Sequence, residues 1–384
     1  MTSKFPVAAR SLTRRQAITR IAAGAATVAV PAWAQTEGRI VLGQSAPMTG
    51  PNAQLGMEVR RGAQIYFNAL NAAGGINGRL IELRTLDDGY DPQRCKANTQ
   101  TLLNDDVFAL FGYVGTPTSL AALPLAQERR IPFFAPVTGA PALRDNKARN
   151  VFHLRASYFD ETALIVKQLT SVGLSRVAVF YQNDSYGLAG LEGVQRALKA
   201  KGLEPVATGT VERNTTDVSS AVKTIVAAKP DAIVQVGAYR SCAAFITSAR
   251  QAGYGGTFYN VSFVGTQALA DELGRKGHGV VVSQVMPFPF STTTAISREY
   301  LQAVQRAGGN AQPNYSSIEG YIAAKVLAEG LRKAPKLTPD GLIAGLESVN
   351  TSFGGFSVSF SNAKHVGSTF VELSMLTEDG KVRR

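Results

Sequence analysis

The chain has 384 residues, more than one ordinary hydrophobic core serves, and its 45% hydrophobic and 18% charged content describes a globular protein. The formal net charge of +12 would suit a nucleic-acid partner, but the cations are scattered and not interleaved with aromatics, which argues against that class. His153, His278 and His365 stand at no metal-ligand spacing, so neither a metal centre nor another cofactor is expected.

Lys4, Arg10, Arg14, Arg15 and Arg20 precede a weakly apolar stretch, Ile21 to Val30, and Ala32-Trp33-Ala34 offers small residues before Gln35. Residues 1–34 therefore read as a cleaved export signal that delivers the protein to the periplasm. Arg14-Arg15 fits a twin-arginine signal, while Ala17 stands where a large apolar residue is usual, which leaves the general secretory route open. About ten apolar residues fall short of the roughly twenty that a membrane span needs. Losing this segment removes five cations and no anions, so the balance becomes 35 minus 28, or +7. Gln35, not a cysteine, follows the cleavage point, which excludes a lipid anchor there.

Beyond the signal, short β-rich runs alternate with amphipathic helical stretches, the pattern of parallel sheets with helices on both faces. The first unit has strands at 39–45, 79–86, 107–111 and 131–135, with helices at 54–73, 92–104 and 119–129. A second unit follows the run 151–154. It has strands at 176–181, 205–211, 231–236, 257–261 and 279–285, and helices at 158–171, 187–201, 217–227 and 241–251. Residues 297–346 read as helical, and 353–376 as a closing two-stranded pattern around His365-Val366-Gly367.

The expected fold is α/β: two doubly wound parallel-sheet lobes with a ligand cleft between them. Lobe 1 comprises 35–156 and 287–352; lobe 2 comprises 157–286 and 353–384. Cys95 and Cys242 fall in different lobes, where a bridge would lock the hinge, so two free, mostly buried thiols are expected.

Ligands of open α/β sheets sit outside the carboxyl ends of the strands. The residues there are rich in Tyr, Thr, Ser and Gly and poor in cations, which suits a small organic molecule with one anionic end. The densest such turn follows the strand at 107–111. Gly112 and Gly115 allow close backbone approach, and Thr116, Thr118 and Ser119 open a helix with Pro117 near its first position. Free amides and hydroxyls at that point favour an anion, most plausibly a carboxylate. No Gly-Lys-Ser/Thr ending and no GxGxxG accompanies them, which argues against a phosphate loop; a plain helix cap is the other reading of these residues.

Three motifs add a resemblance that covers essentially the whole chain after the signal: Thr49-Gly50-Pro51-Asn52-Ala53-Gln54-Leu55-Gly56, Asp87-Asp88-Gly89-Tyr90-Asp91-Pro92 and Asn183-Asp184-Ser185-Tyr186-Gly187. With the element order, they resemble the leucine/isoleucine/valine-binding protein family, type I periplasmic solute-binding proteins of branched-chain amino-acid type ABC transporters. The resemblance implies lobes that close on a ligand, an inner-membrane ABC permease as partner, and a monomer. It implies that Thr116 receives the ligand carboxylate, with Thr138 and Gly139 on the turn beside it. Leu55 matches a position lining the ligand side chain, and Tyr186 and Tyr239 match site tyrosines of the second lobe. Tyr113 and Thr118, on the Thr116 turn, complete the candidates on that side.

Where the family supplies carboxylates for an α-ammonium group, this chain has Tyr158 and Ser262; Asp160 or Glu161 would substitute after a shift of a few residues. An unpaired buried ammonium costs several kcal/mol, so a carboxylate ligand without one is expected, an aromatic or aliphatic acid, with an amino-acid-like ligand as the alternative. A ligand-sensing module for a membrane receptor needs the same cleft and stays open. A hydrolase is disfavoured, because no serine has a Gly-x-Ser-x-Gly setting.

Overall fold

The computed structural model describes Met1, Thr2 and residues 38–144 and 149–384, so the export-signal segment lies outside the described residues apart from its first two. A first sheet of five strands comprises β1 (Arg39–Ala46), β2 (Leu80–Asp87), β3 (Ala109–Phe111), β4 (Phe133–Phe134) and β5 (Val151–Phe152), in the order β2-β1-β3-β4-β5. The next strands, β6 (Val177–Gln182), β7 (Ala207–Val211), β8 (Ala232–Val236), β9 (Thr257–Asn260) and β10 (Val281–Gln284), pair in parallel in the second sheet. A separate hairpin joins β11 (Asn350–Phe353) to β12 (Phe356–Ser359). Finally β13 (Glu372–Leu376) and β14 (Val382–Arg383) add antiparallel to β10, giving a seven-stranded order β14-β13-β10-β9-β8-β6-β7.

The helices of the first half are α1 (Ala53–Ala72), α2 (Pro92–Asn104) and α3 (Thr116–Glu128). Those of the second are α4 (Tyr158–Ser171), α5 (Ser185–Lys199), α6 (Ser219–Ala227), α7 (Tyr239–Gln251) and α8 (Thr266–Leu273), followed by α9 (Ala295–Ala307), α10 (Tyr315–Lys333) and α11 (Pro339–Glu347). Every residue of β8, AIVQV, is buried, as expected of a central parallel strand covered on both faces.

The sequence motifs set where the helices begin. Asp91 accepts from the amides of Gln93 and Arg94 to cap α2, and Asp184 accepts from those of Tyr186 and Gly187 to cap α5. Ser157 and Asp160 close a capping box at α4. Each cap fixes the turn at the carboxyl end of the preceding strand. On the first lobe, α1 and α10 touch through glycines: a Cβ on Gly62 would come to 1.7 Å from the Ser317 carbonyl oxygen, and one on Gly320 to 2.0 Å from that of Val59. This backbone-to-backbone packing carries Leu55 and Glu319 to the cleft.

Chain crossings run through 153–157, 285–294 and 368–371. The last lies later than the expected break at 352/353. The hairpin stays with the first lobe, since Ile296 N donates to Gly354 O, Phe360 packs edge-on to Phe152 at 5.4 Å, and Val366 bridges His153. The hairpin turn is Gly354-Gly355, both with positive φ, instead of the expected 365–367. Cys95 and Cys242 are free and buried.

Candidate functional site

The two turns that follow β3 and β4 lie side by side. Gly115, at φ 102, is the N-cap of α3, which begins at Thr116, three residues earlier than the pattern predicts. Thr116 Oγ1 and Thr138 Oγ1 are 2.7 Å apart and wholly buried, and Thr138 Oγ1 also accepts from the amide of Ala140 at 3.1 Å. Gly139 is required for what sits above it: a Cβ there would lie 2.6 Å from the Tyr158 amide nitrogen and 2.7 Å from its ring. The Tyr158 hydroxyl lies beside Thr138, and burial raises its pKa. Neither that hydroxyl nor the buried Ser119 Oγ closes a hydrogen bond within the described protein.

Aromatic rings wall this cup. Tyr158 and Tyr186 have centroids 5.4 Å apart, Tyr186 and Phe263 4.7 Å, and Tyr90 and Phe263 5.9 Å. Leu55, Val114 and Val137 belong to the same buried cluster. Tyr90 takes φ 61, and a Cβ on Gly115 would meet its ring at 2.3 Å, so the missing side chain at 115 makes room for it.

An ionic cluster lies at the first chain crossing. Arg155 is 1% exposed, and its Nη2 donates to Ser262 Oγ at 2.6 Å. Its Nε stands 3.2 Å from Glu319 Oε1 without a hydrogen-bond angle, and Nη1 has no partner. Glu161 accepts from Ser262 N at 2.7 Å, Ser262 Oγ at 3.0 Å and Ser283 Oγ at 2.6 Å. Burial raises the carboxyls of Glu161 and Glu319, with Arg155 opposing; burial also pulls on the guanidinium, but the two carboxylates outweigh it and hold its pKa up.

The lobe faces touch. Gln182 Nε2 donates to Tyr90 OH at 3.3 Å, Asn52 Nδ2 to Asn214 Oδ1 at 2.9 Å, Asn214 Nδ2 to Gly89 O at 3.2 Å, and Gln54 Nε2 to Asp271 Oδ2 at 3.0 Å.

A family model described as "Periplasmic binding protein" matches residues 39–381. The chain belongs to the periplasmic binding protein family. It is 26% identical over 364 residues to the Leu/Ile/Val-binding protein homolog 7 of Brucella suis biovar 1 (strain 1330), covering 89% of this chain and 90% of that relative. Among solved structures, a possible leucine/isoleucine/valine-binding protein from Rhodopirellula baltica SH 1 superposes with a TM-score of 0.85 at 31% identity, covering 90% of this chain and 96% of that one. A substrate-binding periplasmic protein from Ralstonia solanacearum gives 0.84 at 32% identity, covering 89% and 99%. This periplasmic binding protein thus has the two-lobed type I fold and the non-catalytic, solute-binding character of its family, whose members serve ABC transporters by closing on a solute. Among the described residues no cluster of His, Cys, Asp and Glu could hold a metal ion, and no helix is long and apolar enough to cross a membrane.

The candidate residues divide accordingly. Leu55, Thr116, Thr138, Gly139, Tyr158 and Tyr186 come together around the cup, and Ser262 joins the ionic cluster. Tyr239 sits at the lobe junction, where its hydroxyl meets the backbone of Gln54. Two expectations fail. Tyr113 points the opposite way, into the first lobe's own core, with its hydroxyl 3.1 Å from Thr99 Oγ1 and its ring 5.0 Å from Phe133, because side chains alternate along an extended segment. The Thr118 hydroxyl is spent on the carbonyls of Val114 and Gly115. Of the substitute carboxylates, Asp160 closes the α4 capping box and Glu161 reaches Ser262. Arg155, Tyr90 and Phe263 are the site residues that sequence reasoning missed.

Proposed function

We propose that this protein captures a small carboxylic acid lacking an α-ammonium group and presents it, closed between the lobes, to an inner-membrane ABC permease. The observation that carries this is the Thr116–Thr138 hydroxyl pair at the first turn of α3, with the unpartnered hydroxyls of Ser119 and Tyr158 buried nearby. Hydroxyls and helix-terminal amides are donors for a carboxylate, and their strength grows as water is excluded. The aromatic wall then suits an aromatic or aliphatic body.

The carboxylates that could face an ammonium are engaged. Glu161 accepts three hydrogen bonds from Ser262 and Ser283, and Glu319 is paired with Arg155. An ammonium would have to break these contacts while displacing or approaching a guanidinium, at a cost of several kcal/mol. Calorimetry with 4-methylpentanoate, its amide and leucine tests the reading. The acid should bind and the other two should bind at least about tenfold more weakly; tight binding of leucine would defeat it.

A further inference from the structure

In the ionic cluster at the crossing the Arg155 guanidinium serves two carboxylates and still has a free donor, while the buried Arg144 guanidinium also acts on Glu161. Arg155 Nη1 is buried without a partner, and among the described residues Glu319 makes no polar contact except with Arg155. Both line a cavity of about 10 Å³ with Leu55, Val137 and Phe263 and with the polar Gln284, Tyr315 and Ser316. That is room for about one water-sized group. Leu55, Val137 and Phe263 also belong to the buried cluster that holds Tyr158 and Tyr186, and Val137 directly precedes Thr138, so the cavity lies next to the residues around the threonine pair.

Donor and acceptor logic narrows what fits there. A second carboxylate is larger than the cavity and would meet the Glu319 carboxylate. An ammonium would oppose Arg155. A carbonyl oxygen would accept from Nη1 but turn lone pairs toward Glu319. Among ligand groups of that size, a hydroxyl both accepts and donates, as a water molecule does.

We propose that the ligand is a hydroxy acid, whose hydroxyl group, remote from the carboxylate, accepts a hydrogen bond from Arg155 Nη1 and donates one to the Glu319 carboxylate. This rests on the carboxylate reading of the same cleft. Two probe pairs test it by calorimetry on the purified protein: benzoate with 4-hydroxybenzoate, and hexanoate with 6-hydroxyhexanoate. In at least one pair the hydroxylated member should bind about tenfold or more tightly than its parent. Removing Arg155 risks losing the fold, so the variant of choice is Glu319→Met, which leaves Arg155 and Glu161 as a neutral set of similar volume. It should bring the affinities of the two members of the pair, measured on the variant, to within about threefold of each other. Acids that bind without preference for the hydroxyl, or a preference that survives Glu319→Met, would overturn the proposal and leave the carboxylate reading standing. Failure of every acid to bind would overturn both.

Discussion

Thr116 and Thr138, twenty-two positions apart in the chain, share a hydrogen bond of 2.7 Å between their hydroxyls. The contact joins the turns after two neighbouring parallel strands and links the threonines into one pair, in which the mutual bond uses one hydroxyl hydrogen and leaves the other for a ligand. Thr116→Ala should weaken binding of an acid about tenfold or more, and Thr138→Ala by a similar factor. Because the hydroxyls act together, the double variant should lose less than the product of the single losses. Calorimetric titration of the variants measures this. Tyr113→Phe is the control: its hydroxyl bonds Thr99 inside the lobe, and affinity should stay within about twofold of the unaltered protein.

Gly139→Ala tests the approach of Tyr158 to the second turn. The added methyl would lie 2.6 Å from the Tyr158 amide nitrogen and 2.7 Å from its ring, neither of which is the flexible end of a side chain. The tyrosine must shift. Stability should fall by about 1 to 3 kcal/mol, as for other overpacked sites, and acid binding should weaken with it. Urea denaturation and calorimetry together check both.

Much of this was legible in the sequence, and what was not has physical causes. Parallel strands buried on both faces, such as Ala232–Val236, announce themselves as apolar runs, and the helices expected at 92–104 and 158–171 are found at those residues. The helix at Thr266–Leu273 escaped notice because a single-turn 3₁₀ segment, Ser262–Val264, and a left-handed Gly265 precede it and supply no side-chain cap. Arg155 was invisible for another reason. Arginine is ordinarily exposed, and the partners that bury it, Ser262 and Glu319, come from distant parts of the chain and from different lobes. Tyr113 was misplaced because proximity to a turn does not say which face a side chain takes.

Arg155→Met should destabilise the protein by about 3 to 5 kcal/mol, since it leaves Glu161 and Glu319 buried without their cation. Adding Glu161→Gln and Glu319→Gln should recover most of that loss. Denaturant titration of the single and triple variants reads the difference.

Asp88 gives a pH dependence with a definite sign. Burial pushes its carboxyl up to about 6, against the donors Tyr90 N and Ser45 Oγ, each at 2.8 Å. A folded pKa above the unfolded one, near 3.8, means that the folded state holds the proton more tightly. Its contribution is full below the unfolded value and is lost as pH rises through the folded one. From pH 7 to pH 5 this group alone should add about 1 kcal/mol of stability, and Asp88→Asn should abolish that gain. Urea midpoints of both proteins at the two pH values decide it.

Asn214 spans the cleft mouth, bonding Asn52 at 2.9 Å and Gly89 O at 3.2 Å from a left-handed backbone at φ 62. Asn214→Gly keeps that backbone without strain and removes both bonds, so it isolates their effect on closure. The variant should hold ligand a few-fold more weakly, mostly through faster release. Stopped-flow release rates measure it.

An acid should be gripped by its head group at the paired threonines. A crystal structure of the protein with its tightest-binding acid tests this most directly. Carboxylate oxygens should lie within hydrogen-bond distance of Thr116 Oγ1 and Thr138 Oγ1, with the body of the acid against Tyr158, Tyr186 and Phe263. An acid whose carboxylate sits elsewhere, with the threonine hydroxyls still bonded only to protein, would contradict it.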